Sequence, residues 1–195
     1  LSFHEWDGLS ISMTPVGFDN YKDIFKSSEF LISIQNNAKW LVFYVIIPPG
    51  IGLILALFTN RIRKGTGILE AIYYLPSAIT PIAVGAIWKW IYDPGYGLFN
   101  TLLSKIGFGE YTQNWLGDPG NAIYSMMLAA TWIGIGVPFI LYLAGLKTVP
   151  KDLIEAARID GAGFFRRFYS VIWPMLAPST VIVIAFSALG AIRLF

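Results

Sequence analysis

Four long apolar stretches divide the chain, and the segments between them carry its charge. The stretches run from Trp40 to Asn60, Ala71 to Trp88, Asn121 to Leu146 and Phe168 to Ile192, and none contains Asp, Glu, Lys, Arg or His. About 20 apolar residues in a helix cross the hydrocarbon core of a bilayer. The second stretch reaches that length if it continues to Tyr92 and the Lys89 amine snorkels to the interface. The pattern predicts an all-α integral membrane protein with spans at about 40–60, 70–92, 121–146 and 168–192. Only 13% of the residues are charged and 55% are hydrophobic. A soluble domain carries roughly 25% charged residues, and a surface that faces lipid explains the deficit.

The positions of the basic residues orient these spans. Residues 61–67 hold Arg61, Arg63 and Lys64 without an acid, and 147–167 hold Lys147, Lys151, Arg158, Arg166 and Arg167. Residues 93–120 offer only Lys105 against Asp93, Glu110 and Asp118. Cytoplasmic loops are enriched in Lys and Arg. Loops 61–67 and 147–167 are therefore expected in the cytoplasm, and residues 1–39 form an extracytoplasmic segment that leads into the transmembrane region 40–195. Trp40, Trp88, Trp90 and Trp115 fall at the expected outer interface, where amphipathic rings settle. An outside N-terminal segment with no signal-peptide pattern implies a helix upstream of Leu1, and the end at Phe195 implies more beyond. The chain thus reads as truncated at both ends. In the outer loop, Leu98, Phe99, Leu102, Leu103 and Ile106 recur at helical spacing and predict an interfacial helix.

Proline and glycine punctuate the spans: Pro48, Pro49, Gly50 and Gly52; Pro76, Pro81 and Gly85; Gly134, Gly136 and Pro138; Pro174 and Pro178. Glycine allows close helix approach, and proline removes a backbone donor and can kink a helix. The chemistry that could run on this scaffold is limited. There is no cysteine, one histidine (His4) and no GxxxxGK[ST] phosphate loop, so nothing points to catalysis, a metal centre or ATP bound in that way. The net charge of +2 gives no footprint for nucleic acid.

The cytoplasmic segment Thr148–Gly163 reads as a short capped helix. Pro150 suits its first turn, Asp152 and Glu155 complement its positive end, and Gly161 suits the stop. Leu153, Ile154 and Ala157 share one side. A helix parked between two spans is either a solvated loop element or a piece shaped for a groove on another protein.

Here the chain resembles a family. Glu155-Ala156-Ala157, then Gly161, Ile172 and Pro174, are similar to the EAA loop of bacterial and archaeal ABC importer permeases. The runs Leu143–Pro150, Glu155–Ala162, Trp6-Asp7-Gly8, Gly17–Tyr21, Asp93–Asn100 and Trp115–Pro119 resemble the carbohydrate-uptake, maltose-type branch. The resemblance implies a type I ABC importer transmembrane domain in the cell membrane. It also implies a set of partners: a second permease subunit, two copies of a cytoplasmic ABC ATPase, an extracytoplasmic solute-binding protein and a sugar substrate, with lipid around the spans. ATP and magnesium would sit in the ATPase, leaving this chain without a cofactor. In this reading Glu155 pairs with a basic group on the ATPase, and Ala156 and Ala157 pack in its cleft. Asp160 and Gly161 close the coupling helix, and Pro174 sets the direction of the next one. The substrate pathway implied by the same resemblance includes Ile133, Gly134 and Ser187. Ala130 stands where the maltose-type permease has a polar amide, and Gly190 where it has an aromatic ring. The alternative is a secondary carrier that works without an ATPase. It would be expected to show ionisable groups at membrane depth or inverted repeats, and the sequence displays neither.

Overall fold

The computed structural model describes residues 2–6, 8, 14–62 and 64–192. Asp7 and Arg63, used above for a motif and for charge, lie outside them. The chain divides into two compact units, 1–40 and 41–195. In the first unit, β1 (His4–Glu5) pairs antiparallel with β2 (Thr14–Pro15), a small ladder that the polar pattern did not predict. Helix α1 (Asp19–Lys26) follows. Phe3, Phe18 and Tyr21 stack at centroid distances of 5.4–5.9 Å, and the Asn20 amide donates to the Ser2 and His4 carbonyls.

Helix α2 (Ser28–Thr59) begins well before the expected Trp40. It is the one described helix long and apolar enough to cross a membrane by itself. Pro48 and Pro49 each remove a rung of its hydrogen-bond ladder, yet the helix continues through them. The other three expected spans are bent pairs, and counting each pair as one span gives four. Helix α3 (Thr66–Tyr74) runs into a 3-10 turn (Leu75–Ala78), and α4 (Pro81–Ile91) departs at 96°. Thr80 is extended at ψ 144° because the proline after it disfavours the helical region. After α5 (Leu98–Lys105), α6 (Ala122–Gly134) and α7 (Gly136–Thr148) meet at 41°. The ring of Pro138 opposes the carbonyl four residues back, on Gly134, which is where the helix breaks.

Helix α8 (Lys151–Ile159) leads into α9 (Phe164–Arg167) and one π turn (Phe168–Ile172). Pro174 cannot donate to Ser170, so the wider turn forms there. Then α10 (Trp173–Met175) gives way to α11 (Ala177–Ile192), the whole segment bending by 71°.

The core of the second unit gathers Ala56, Phe139, Tyr142, Leu143, Leu176 and Val183, with Ala56, Phe139 and Leu176 fully buried. Gly52 makes the contact of α2 with α7 possible. A Cβ there would sit 2.8 Å from the Phe139 nitrogen and 2.9 Å from Pro138 Cβ. Large side chains such as Ile46, Ile54, Phe58, Val181 and Phe186 remain more than half exposed, as surfaces that meet lipid do.

The α5 face is divided: Leu98, Leu102 and Ile106 are exposed, and Phe99 packs on Tyr92 and Trp115. The four tryptophans differ in burial. Trp90 is exposed, Trp40 is buried, and Trp88 and Trp115 join a cluster with Tyr92, Phe99 and Trp132. Ring–ring contact and the Tyr92 hydroxyl donating to the Ser125 carbonyl at 2.9 Å hold this cap together.

Candidate functional site

Two places gather the residues singled out by sequence. The first is α8. Its capping signals act as the sequence predicts: Gly161 has φ +77°, its N–H donates to Arg158 O at 3.1 Å, and the Ala162 N–H donates to Ala157 O at 2.9 Å. This pair of bonds is the Schellman stop, and it needs a residue that tolerates left-handed backbone. The stop fixes which side of α8 faces out. Ile154 and Ala157 are half-buried, and Ala157 lines a small recess with Ser170 and Val171 of the π turn. Glu155, Ala156 and Asp160 are exposed. Leu153 also turns outward, against its expected side. Ile159 is 85% exposed, a large aliphatic side chain at the centre of the outward face. Sequence reasoning passed over Ile159, although its spacing from Ala156 and Asp152 puts it on their side. Pro174 lies in α10, just past the π turn.

The second place is a cavity of about 300 Å³ in the second unit, at the low end of ligand-pocket sizes. It brings together Ile133 and Gly134 at the end of α6 with Ser187 on α11. Ser77 and Pro81 of the 96° bend close one side, and Tyr44 of α2 reaches in. Ser187 is buried, and the Ser77 hydroxyl donates to the Tyr74 carbonyl at 2.6 Å. Neither Tyr44 nor Ser77 was found from sequence. Ser77 had a signal, a hydroxyl between two prolines in an apolar run; Tyr44 had none. Gly190 also borders the cavity. A Cβ on Gly134 would lie 3.1 Å from the Tyr44 hydroxyl, and one on Gly190 would lie 3.3 Å from its ring. The two glycines therefore make room for Tyr44, and an aromatic ring occupies the neighbourhood of Gly190 after all, delivered by another helix. Apart from the Tyr44 phenol, no side chain lining the cavity ionises.

Comparison with known proteins agrees with this architecture. Residues 49–195 match the family described as binding-protein-dependent transport system inner membrane component. A probable ABC transporter permease protein, YurN, of Bacillus subtilis is 30% identical over 100% of this chain and 68% of its own length. The trehalose/maltose transport system permease protein MalF of Thermococcus litoralis is 36% identical, over 92% of this chain and 60% of that one. The sn-glycerol-3-phosphate transport system permease protein UgpA of Yersinia pestis is 34% identical, over 88% and 57%. The chain thus spans roughly three fifths of such relatives. In fold it resembles a chain in the crystal structure of a bacterial alginate ABC transporter in complex with alginate pentasaccharide-bound periplasmic protein, with a TM-score of 0.77 at 24% identity, covering 88% of this chain and 59% of that one. The chain belongs to the family of inner-membrane permease components of binding-protein-dependent ABC transport systems.

Proposed function

We propose that this chain forms part of the membrane pathway of an ATP-driven, binding-protein-dependent importer for a sugar or sugar derivative. The observation that carries the reading is the outward face of α8. Its helix is rigidly stopped at Gly161 and presents Glu155, Ala156, Ile159 and Asp160 to solvent. An exposed isoleucine ringed by small and acidic residues suits a groove with an apolar floor and a basic rim. In this role α8 docks on a cytoplasmic ABC ATPase, which binds ATP and magnesium and does the hydrolysis; this chain is not itself an enzyme. Glu155 meets the basic rim, Ala156 and Ile159 enter the groove, and Ala157 works indirectly by seating α8 on the π turn. A second permease subunit completes the pathway, and an extracytoplasmic binding protein delivers the solute.

The cavity supports a polar, uncharged solute: hydroxyls of Tyr44, Ser77 and Ser187 set in apolar walls follow the usual balance of a small-molecule site. Ile133 and Gly134 shape the wall beside Tyr44. The test is a cysteine at Ala156 in the full-length permease, crosslinked in native membranes. Capture of an ABC ATPase is the expected result. A crosslink that never captures an ATPase in transport-competent membranes overturns the reading in favour of a carrier that works without one.

A further inference from the structure

The structure carries a second charged feature that the docking face does not use. An open recess of about 630 Å³ lies at the end of α2 where it meets the α8–α9 corner. One wall is apolar, formed by Ile54, Leu57 and Phe58; the other brings Arg61, Arg158 and Arg167 together around Phe164. Ile54 and Phe58 are 53% and 62% exposed, so the apolar wall continues outward along α2. The Arg61 guanidinium stacks over the Phe164 ring at 4.6 Å, and Arg167 donates to the Ala162 carbonyl. Each arginine has five donors, so these contacts leave most of them available. Among the described residues, no carboxylate lies within 4 Å of any of the three guanidiniums.

Three cations without a counter-ion around one recess call for an anion. The place restricts which anion. Arg61 stands two residues after the last helical residue of α2, Thr59, so the basic wall lies at the membrane–water boundary and the apolar wall runs from it into the span. A ligand that satisfies both walls has a negative head and an aliphatic tail. From this geometry we infer that the recess is a binding site for an anionic phospholipid, its phosphate held by Arg61, Arg158 and Arg167 and its acyl chains laid on Ile54 and Phe58. Guanidinium matches phosphate through paired donors, and basic pockets between membrane helices on the cytoplasmic side hold anionic head groups. Since Arg158 belongs to α8, the lipid would tie the docking helix to the end of α2.

The test uses the full-length permease in its complex, in nanodiscs of dioleoylphosphatidylglycerol or dioleoylphosphatidylcholine, with retained lipid counted by native mass spectrometry after detergent release. The wild type is expected to retain phosphatidylglycerol in preference to phosphatidylcholine. Replacing all three arginines by glutamine should weaken retention on the order of a hundredfold, about fivefold per cation. The triple lysine variant, which keeps the charge, should retain more than the glutamine variant and so separates a lost site from lost folding. A benzoylphenylalanine at Phe58 in native membranes should yield a phospholipid adduct. Equal retention of the two lipids, displacement of phosphatidylglycerol by millimolar inorganic phosphate, or a peptide adduct at Phe58 would each overturn the assignment.

Discussion

Gly161 offers the sharpest test of the docking reading because its cost can be separated into parts. Its φ of +77° is left-handed, and a Cβ built there meets nothing within 4 Å. Gly161→Ala therefore adds backbone strain without a clash, about 1–2 kcal/mol. Gly161→Asn should cost less, since asparagine also serves as a left-handed stop. Gly161→Pro is different in kind: the ring fixes φ near −65° and removes the N–H that donates to Arg158 O, so the turn cannot form. A strain of that size shifts the turn equilibrium about 5–30-fold, and the apparent affinity of a partner that needs the formed turn falls by no more than that factor. The assay is solute-stimulated ATP hydrolysis by the reconstituted full-length complex, titrated with the ATPase subunit. The expected order is wild type, then Asn, then Ala with a right-shifted titration, then Pro uncoupled. Normal stimulation in a Pro variant that is inserted and assembled refutes the docking role of α8. Equal defects in the Ala and Asn variants refute the backbone explanation.

Three further outcomes follow from the packing. Tyr44→Ala should empty the space above Gly134 and Gly190 and change the apparent affinity for solute uptake on the order of tenfold, the worth of one ordinary buried contact; unchanged affinity and selectivity would remove Tyr44 from the pathway. Gly52→Ala should destabilise the full-length permease by about 1–3 kcal/mol through overpacking on Pro138 and Phe139, whereas Gly50→Ala, with open space around its Cβ, should leave the melting temperature in detergent unchanged; equal effects would contradict the α2–α7 contact. Asn100 is buried, donates to Gln113 O at 3.0 Å and accepts from Trp115 Nε1 at 2.7 Å. Asn100→Leu should therefore raise hydrogen exchange across residues 93–120, each orphaned buried group costing about 1–3 kcal/mol, and an unaltered exchange pattern would show that the loop has another clamp.

The positions of the helices were legible because membrane depth imposes a minimum apolar length that few other structures require. Their directions were not. Pro48 and Pro49 leave α2 as one helix, Pro138 bends its segment by 41°, and the Pro76–Pro81 run turns the chain by 96°. A proline tells only that one hydrogen bond is missing and that the residue before it avoids the helical region. Whether the chain bends depends on what the neighbouring helices allow. Asn100 shows the same limit for a polar group. Its type and position in α5 do not reveal that Gln113 and Trp115 of the returning loop take up its amide.

The cavity shows why matching a family position by position reads less than the fold contains. Taken alone, Gly190 in place of an aromatic ring is a lost contact, although Phe186, one turn earlier on the same helix, also lines the cavity. A further ring comes from Tyr44, far away in sequence, and a Cβ on Gly134 or Gly190 would crowd it at 3.1–3.3 Å. Positions 44 and 190 are therefore coupled, since a side chain at 190 meets the Tyr44 ring, whereas one at 134 would meet Pro48 as well. A Gly190→Phe change should then impair uptake when Tyr44 is present and be partly rescued by Tyr44→Ala. Failure of that rescue, with both variants inserted, would mean that the ring and the glycines act separately and that the cavity is not one site.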